Sequence, residues 1–130
     1  MIKGMHHIAF KCNGPEKLEE VIKFYTEILG LKVFKSWGEG NGAAVMIDTG
    51  DVMLEIFASG TGEDAAGIIF HYALATDDVD GCVEKVRAAG YPVTREPGDI
   101  DVPAEPSNLK ARIAFVLGAA GEEIEFFCVK

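Results

Sequence analysis

The sequence predicts an α+β fold built from two tandem βαβββ modules, and three observations carry that prediction. Strand-like and helix-like periodicities appear in the same order twice. Landmark residues recur at matching spacings in the two runs, and a polar, glycine-rich stretch separates them. The chain then reads as one domain over residues 1–130, with a first module at about 1–58, a linker at 59–67 and a second module at about 68–130.

Residues 5–12 alternate, with His6, Ile8, Phe10 and Cys12 on one face and His7, Ala9 and Lys11 on the other, as in a half-buried strand. Asn13, followed by Pro15 and Glu16, reads as a helix N-cap. Leu18, Val21, Ile22, Tyr25 and Leu29 recur at helical spacing, and Gly30 closes that helix. Residues 31–35 and 43–48 read as strands, and Thr49-Gly50-Asp51 as a tight turn into a strand over 52–57. The connector at 59–67 is not a dinucleotide-binding loop, because its glycines lack G-x-G-x-x-G spacing and lead into a strand.

The same order returns after the connector. A strand covers 68–75, and a helix capped by Asp77 or Asp78 presents Val79, Cys82, Val83 and Val86 on one face before Gly90. Strands follow at 91–94, 112–117 and 122–129. His7 precedes Gly30 by 23 residues and His71 precedes Gly90 by 19, about one helical turn fewer. Gly30 precedes Glu55 by 25 residues, whereas Gly90 precedes Glu125 by 35. The surplus falls within residues 97–110, whose Pro, Asp and Glu content reads as a mobile lid.

Composition narrows the function classes. A length of 130 residues, 48% hydrophobic and 25% charged, suits one folded, soluble domain. A net charge of −9 repels phosphate backbones and anionic lipid, so neither nucleic acid nor membrane is expected as a partner. No apolar run reaches spanning length and no leader pattern opens the chain, which points to the cytoplasm. Cys12, Cys82 and Cys128 are odd in number and widely spaced, so they read as small core residues.

Each module has a histidine in its first strand and a glutamate in its last, His7 with Glu55 and His71 with Glu125. A lone strand histidine or glutamate would carry little weight. Here two of only three histidines occupy the same place in the repeat, each with alanine two positions on, Ala9 and Ala73. If the curled sheets enclose a cleft about a pseudo-twofold axis, these four side chains converge on one divalent metal ion. Two imidazoles and two carboxylates suit Ni²⁺ or Zn²⁺ and also Co²⁺, Mn²⁺ or Fe²⁺, with positions left open for a ligand. His6 points to the other face and reads as structural. Lys11 reads either as the partner of an anionic part of a substrate or as a rim ion pair, and so do Arg95 and Arg112. Trp37, Tyr72 and Phe126 read as packing aromatics.

The runs His7-Ile-Ala-Phe, Phe24-Tyr25-Thr-Glu-Ile-Leu-Gly-Leu-Lys32, Leu54-Glu55, His71-Tyr-Ala-Leu and Gly121-Glu-Glu-Ile-Glu125 together make the chain resemble the vicinal oxygen chelate (glyoxalase/bleomycin resistance/dioxygenase) superfamily. Within it the nearest likeness is to glyoxalase I, the lactoylglutathione lyases, and next to methylmalonyl-CoA epimerase. The likeness to glyoxalase I implies His7, Glu55, His71 and Glu125 as ligands, since that family has His and Glu in both halves; the epimerases have Gln where this chain has Glu55. Glutathione-using bacterial members carry Arg and Asn where Lys11 and Ser59 stand, so the resemblance implies a thiol adduct without fixing the thiol. The usual Asp-Pro-Asp-Gly turn is replaced by Leu117-Gly-Ala-Ala-Gly121.

What the resemblance implies is a metal-dependent lyase or isomerase. It would take a proton from the carbon beside a carbonyl, through a metal-bound enediolate, and turn a 2-oxoaldehyde hemithioacetal into a 2-hydroxyacyl thioester. Glu125 would be the base and Glu55 the second catalytic carboxylate, the base swinging partly off the metal to work. A homodimer is implied as well. The alternatives are an acyl-CoA epimerase and a non-enzymatic small-molecule binding protein of the bleomycin-resistance type.

Overall fold

A computed structural model describes residues 5–61 and 71–130. The chain divides into two compact units, Met1–Ala65 and Ala66–Lys130. The first contains β1 (His7–Lys11), α1 (Pro15–Lys23), β2 (Lys32–Trp37), β3 (Ala44–Asp48) and β4 (Met53–Phe57). The second contains β5 (Tyr72–Ala75), α2 (Val79–Ala88), β6 (Val93–Val102), β7 (Leu109–Leu117) and β8 (Glu123–Val129). The α+β, twice-βαβββ order is therefore as the sequence predicts. Residues 68–70 of the expected strand and 62–67 of the expected linker lie outside the described residues.

Each unit has one four-stranded mixed sheet, in the orders β1-β4-β3-β2 and β5-β8-β7-β6. The first strand lies parallel to the last, and the remaining pairs are antiparallel. A helix between first and second strands supplies the long crossover that parallel pairing demands, while short turns suffice for the rest. First and last strands thus become neighbours, although register partners lie 46 residues apart in the first unit (His7 and Met53) and 52 in the second (Tyr72 and Ile124).

Helix α1 starts differently from the sequence expectation. Gly14 is the N-cap and Pro15 occupies the first turn, where a missing N–H costs nothing. Asn13 instead forms an antiparallel bridge with Ser59. Past Lys23 the helix widens into a π-helical turn, Phe24–Ile28, with Leu29 N–H donating to Phe24 O. The extra residue slips the helical register, so both Phe24 and Tyr25 are fully buried alongside Leu18 and Val21. Gly30 (φ 74°) and Gly90 (φ 87°) end the two helices in the left-handed region that favours glycine. Helix α2 is capped by Asp78, whose Oδ1 accepts from Gly81 N–H at 2.9 Å.

Of residues 97–110, which the sequence reads as a mobile lid, 97–102 and 109–110 are strand. They lengthen β6 and β7 into one hairpin joined through 103–108, with Asp99 opposite Arg112 and Val102 opposite Leu109. Pro97 is accommodated because the ladder shifts register between Arg95 and Gly98, and because β6 is an edge strand. No helix among the described residues is long and apolar enough to cross a membrane.

Candidate functional site

Sheet parity separates two faces in each unit. In the first, Ile8, Phe10, Leu54, Ile56, Val45 and Ile47 share one face, and the last four are buried core. His7, Ala9 and Lys11 take the other face with Met53, Glu55 and Phe57. In the second unit Leu74, Ile124, Phe126, Ala114 and Val116 share a face, and Ala73, Glu125, Phe127, Ile113 and Phe115 take the opposite one. The histidine and glutamate of each unit therefore stand on one face of adjacent, parallel strands.

Within each unit the pair is brought together. His7 Nε2 lies 3.7 Å from Glu55 Oε1, and His71 Nε2 lies 3.3 Å from Glu125 Oε2. Register explains the approach: Glu55 is opposite Ala9 and Glu125 opposite Ala73, so a methyl group occupies the spot where a larger side chain would part histidine from glutamate. Glu125 is 9% exposed, the one buried charged residue among those described, while Glu55 is half-buried. Two donors about 2.0–2.2 Å from a shared ion lie roughly 3.0–3.5 Å apart for right-angle to tetrahedral geometry, so each pair has nearly the bite that a divalent metal requires. Within neither unit do three or more His, Cys, Asp or Glu groups come together among the described residues.

The surroundings of the two pairs differ. His71 stands edge-on to Phe115, ring centroids 5.2 Å apart, and Phe115 is also the β7 neighbour of Glu125. His7 stands edge-on to His6, with 2.9 Å between their Nδ1 atoms. That contact occupies the Nδ1 side of the His7 ring and leaves Nε2 facing Glu55, which restrains the ring's orientation. Sequence reasoning set His6 aside by parity. Its place just before β1 frees it from strand alternation, and the adjacent-histidine pair was the available signal.

Lys11 is exposed, on the face of His7, and forms no ion pair among the described residues. Across the sheets, Glu55 is followed by Met46 and then Lys35, and Glu125 by Phe115 and then Arg95. A cation thus ends the glutamate's cross-strand row in both units, two strands or about 10 Å away along the backbone. Arg112 takes the ion-pair alternative of the two that the sequence left open. It lies on the opposite face from Glu125, where Nη2 donates to Asp80 Oδ1 at 2.7 Å and Nη1 to Asp99 Oδ1 at 3.1 Å. Its charge is already matched, so it is a fastener between α2, β6 and β7. Phe126 is core, whereas Trp37 is 43% exposed and edge-on to Phe57 at 6.3 Å.

Comparison with known proteins agrees with this architecture. Residues 4–103 match the model of the glyoxalase/bleomycin resistance protein/dioxygenase superfamily. A lactoylglutathione lyase of Haemophilus influenzae is 31% identical over 123 residues, covering 84% of this chain and 82% of that protein. A lactoylglutathione lyase of Arabidopsis thaliana is 33% identical over 108 residues, covering 72% of this chain; the match spans only 35% of the plant protein's length. The crystal structure of glyoxalase I from Zea mays superposes with a TM-score of 0.72 at 25% identity, covering 95% of this chain and 43% of that one.

Proposed function

Since the chain belongs to the glyoxalase/bleomycin resistance protein/dioxygenase superfamily, we propose that it is a metal-dependent lyase or isomerase of the lactoylglutathione lyase type. The observation that carries this reading is the repeated pair, His7 with Glu55 and His71 with Glu125, each held at nearly ligand bite in equivalent places of the two units. The four would hold one divalent ion, Ni²⁺ or Zn²⁺ foremost, and Co²⁺, Mn²⁺ or Fe²⁺ suit the same donors. When bound, such an ion stabilises negative charge developing on substrate oxygens.

The substrate class is a 2-oxoaldehyde joined to a thiol as a hemithioacetal, isomerised to a 2-hydroxyacyl thioester. Glu125 takes the proton from the carbon bearing the hydroxyl and sulfur, and a proton is delivered to the neighbouring carbon, so no atom is gained or lost. Its low exposure keeps water from competing for that proton. Glu55, on the other unit's pair, serves as the second carboxylate. Lys11 anchors an anionic part of the thiol, being an unmatched cation on the face of His7. We take the protein to be a homodimer, which sedimentation tests.

The decisive experiment is exchange of the substrate proton. Glu125→Gln removes the base while keeping size and polarity, so exchange into deuterated water should fall by at least about a hundredfold while the fold is retained. Full exchange in the folded variant would remove Glu125 from this role. Metal analysis of the purified protein separates the enzyme from a metal-free binding protein.

A further inference from the structure

We infer that Trp37 and Phe57, beside Lys11, form a subsite for an aromatic ring joined to an anionic group; the inference deepens the reading above by giving the thiol half of the substrate that chemistry. The three belong to one cross-strand row. Lys11 is opposite Phe57, Phe57 opposite Ala44 and Ala44 opposite Trp37, so all share the face of His7 and Glu55. The row lies two residues beyond Glu55, about 7 Å along the strand, within reach of a ligand that also touches the His7–Glu55 pair.

The buried Ala44 is small enough for the two rings to meet across it. Their centroids are 6.3 Å apart and their planes 78° from parallel. Such a corner lets a third ring lie flat on one and edge-on to the other, the arrangements that aromatic pairs favour. Solvent reaches the corner, since Trp37 is 43% exposed and Phe57 half-buried. The loop after Trp37 closes on itself: Gly38 (φ 75°) turns so tightly that a Cβ would fall on Gly42 O, and Gly42 N–H donates to Glu39 O at 2.9 Å. Lys11 adds the charge, because it has no ion pair among the described residues. Lys35, on the same face, is instead turned over Phe34, 5.5 Å from the ring centroid.

The second unit supplies an internal comparison. Its corresponding row is Ala75, Phe127, Ile113 and Gly98, with neither cation nor indole. The repeat keeps the histidine and glutamate in both units and differs in the row beside them. An asymmetric ligand, ringed and charged at one end, fits that difference.

Trp37 is the chain's single tryptophan, so its emission reports this row. The probes are AMP, which joins a ring to an anion, adenosine, which keeps the ring, and ribose 5-phosphate, which keeps the anion. With a chelator present, AMP should quench Trp37 emission saturably. Adenosine should bind about fivefold more weakly and ribose 5-phosphate about tenfold, the scales of an exposed ion pair and of one stacked base. Lys11→Met should weaken AMP about fivefold and leave adenosine unchanged, and Phe57→Leu should weaken both about tenfold. Trp37→Leu, read by calorimetry, should match Phe57→Leu. Lys17→Met, whose lysine pairs with Glu20 on α1, is the control and should change nothing. If Phe57→Leu fails to fold, Lys11→Met, at an exposed position, carries the test. Unsaturable quenching by AMP, equal affinity for AMP and adenosine, or an unaltered Kd in Lys11→Met overturns the inference. No metal is needed for this readout: saturable AMP binding in a chain that binds no Zn²⁺ keeps the subsite and removes the metal-site reading.

Discussion

Alanine opposite glutamate is the residue-scale feature on which the proposed site depends. Ala9 and Ala73 are small enough for each histidine to lean across the register toward its glutamate, two residues along the parallel neighbour. Ala73→Leu keeps all four proposed ligands and puts four carbons between two of them. Zn²⁺ affinity should fall at least about tenfold, the scale for disturbing groups that orient ligands, with Tm little changed because position 73 is exposed. Calorimetry checks this, and unaltered affinity would mean that the pairs are not held by register. His6 shows the limit of pattern reading at this scale: its contact with His7 involves no periodic signal at all.

At the scale of elements, the longer second hairpin is fastened rather than loose. Arg112 on β7 joins Asp80 of α2 and Asp99 of β6, and Lys130 Nζ meets Asp99 Oδ2 at 2.6 Å. The Arg112 hydrogen bonds hold Asp80 below its ordinary value of 3.8, and Lys130 first and Arg112 second do the same for Asp99. A carboxyl whose folded value is depressed stabilises the fold above its unfolded value, and that contribution is lost as pH falls below about 3.8. The urea midpoint of the wild type should therefore exceed that of Arg112→Met at pH 7, and the gap should narrow progressively as pH falls below about 3.8. These groups are solvent-exposed, so the gap at pH 7 should also shrink in high salt. An equal gap at pH 3 would assign the arginine's contribution to packing of its stem.

For the whole molecule, the prediction concerns linkage between metal and folding. An ion that binds only the folded chain stabilises it by about 2.7 kcal/mol at a hundred times Kd, which for a chain of this length is roughly 10 °C in Tm. Ni²⁺ or Zn²⁺ should raise Tm and a chelator should reverse the rise. His7→Ala and His71→Ala should each reduce it, because the proposed donor set draws on both units. A rise untouched by His7→Ala would confine binding to the second pair. The net charge of −9 favours cations generally, so Mg²⁺ at equal concentration is the control.

The sequence by itself determined the α+β class and the duplicated βαβββ order, and it singled out His7, Glu55, His71 and Glu125 as the candidate site residues. Periodicity, glycine stops and repeat spacing are local properties, and a duplicated motif states them twice. Only the tertiary structure decided how close each histidine comes to its glutamate, because that distance depends on strand order and register between segments far apart in the chain. It also decided that residues 97–110 pair as a hairpin, since a polar edge strand with a proline bulge has no apolar alternation to betray it. Arg112 needed the same information. Its partners Asp80 and Asp99 come from a helix and another strand, and an arginine's role is set by which carboxylates the fold places beside it.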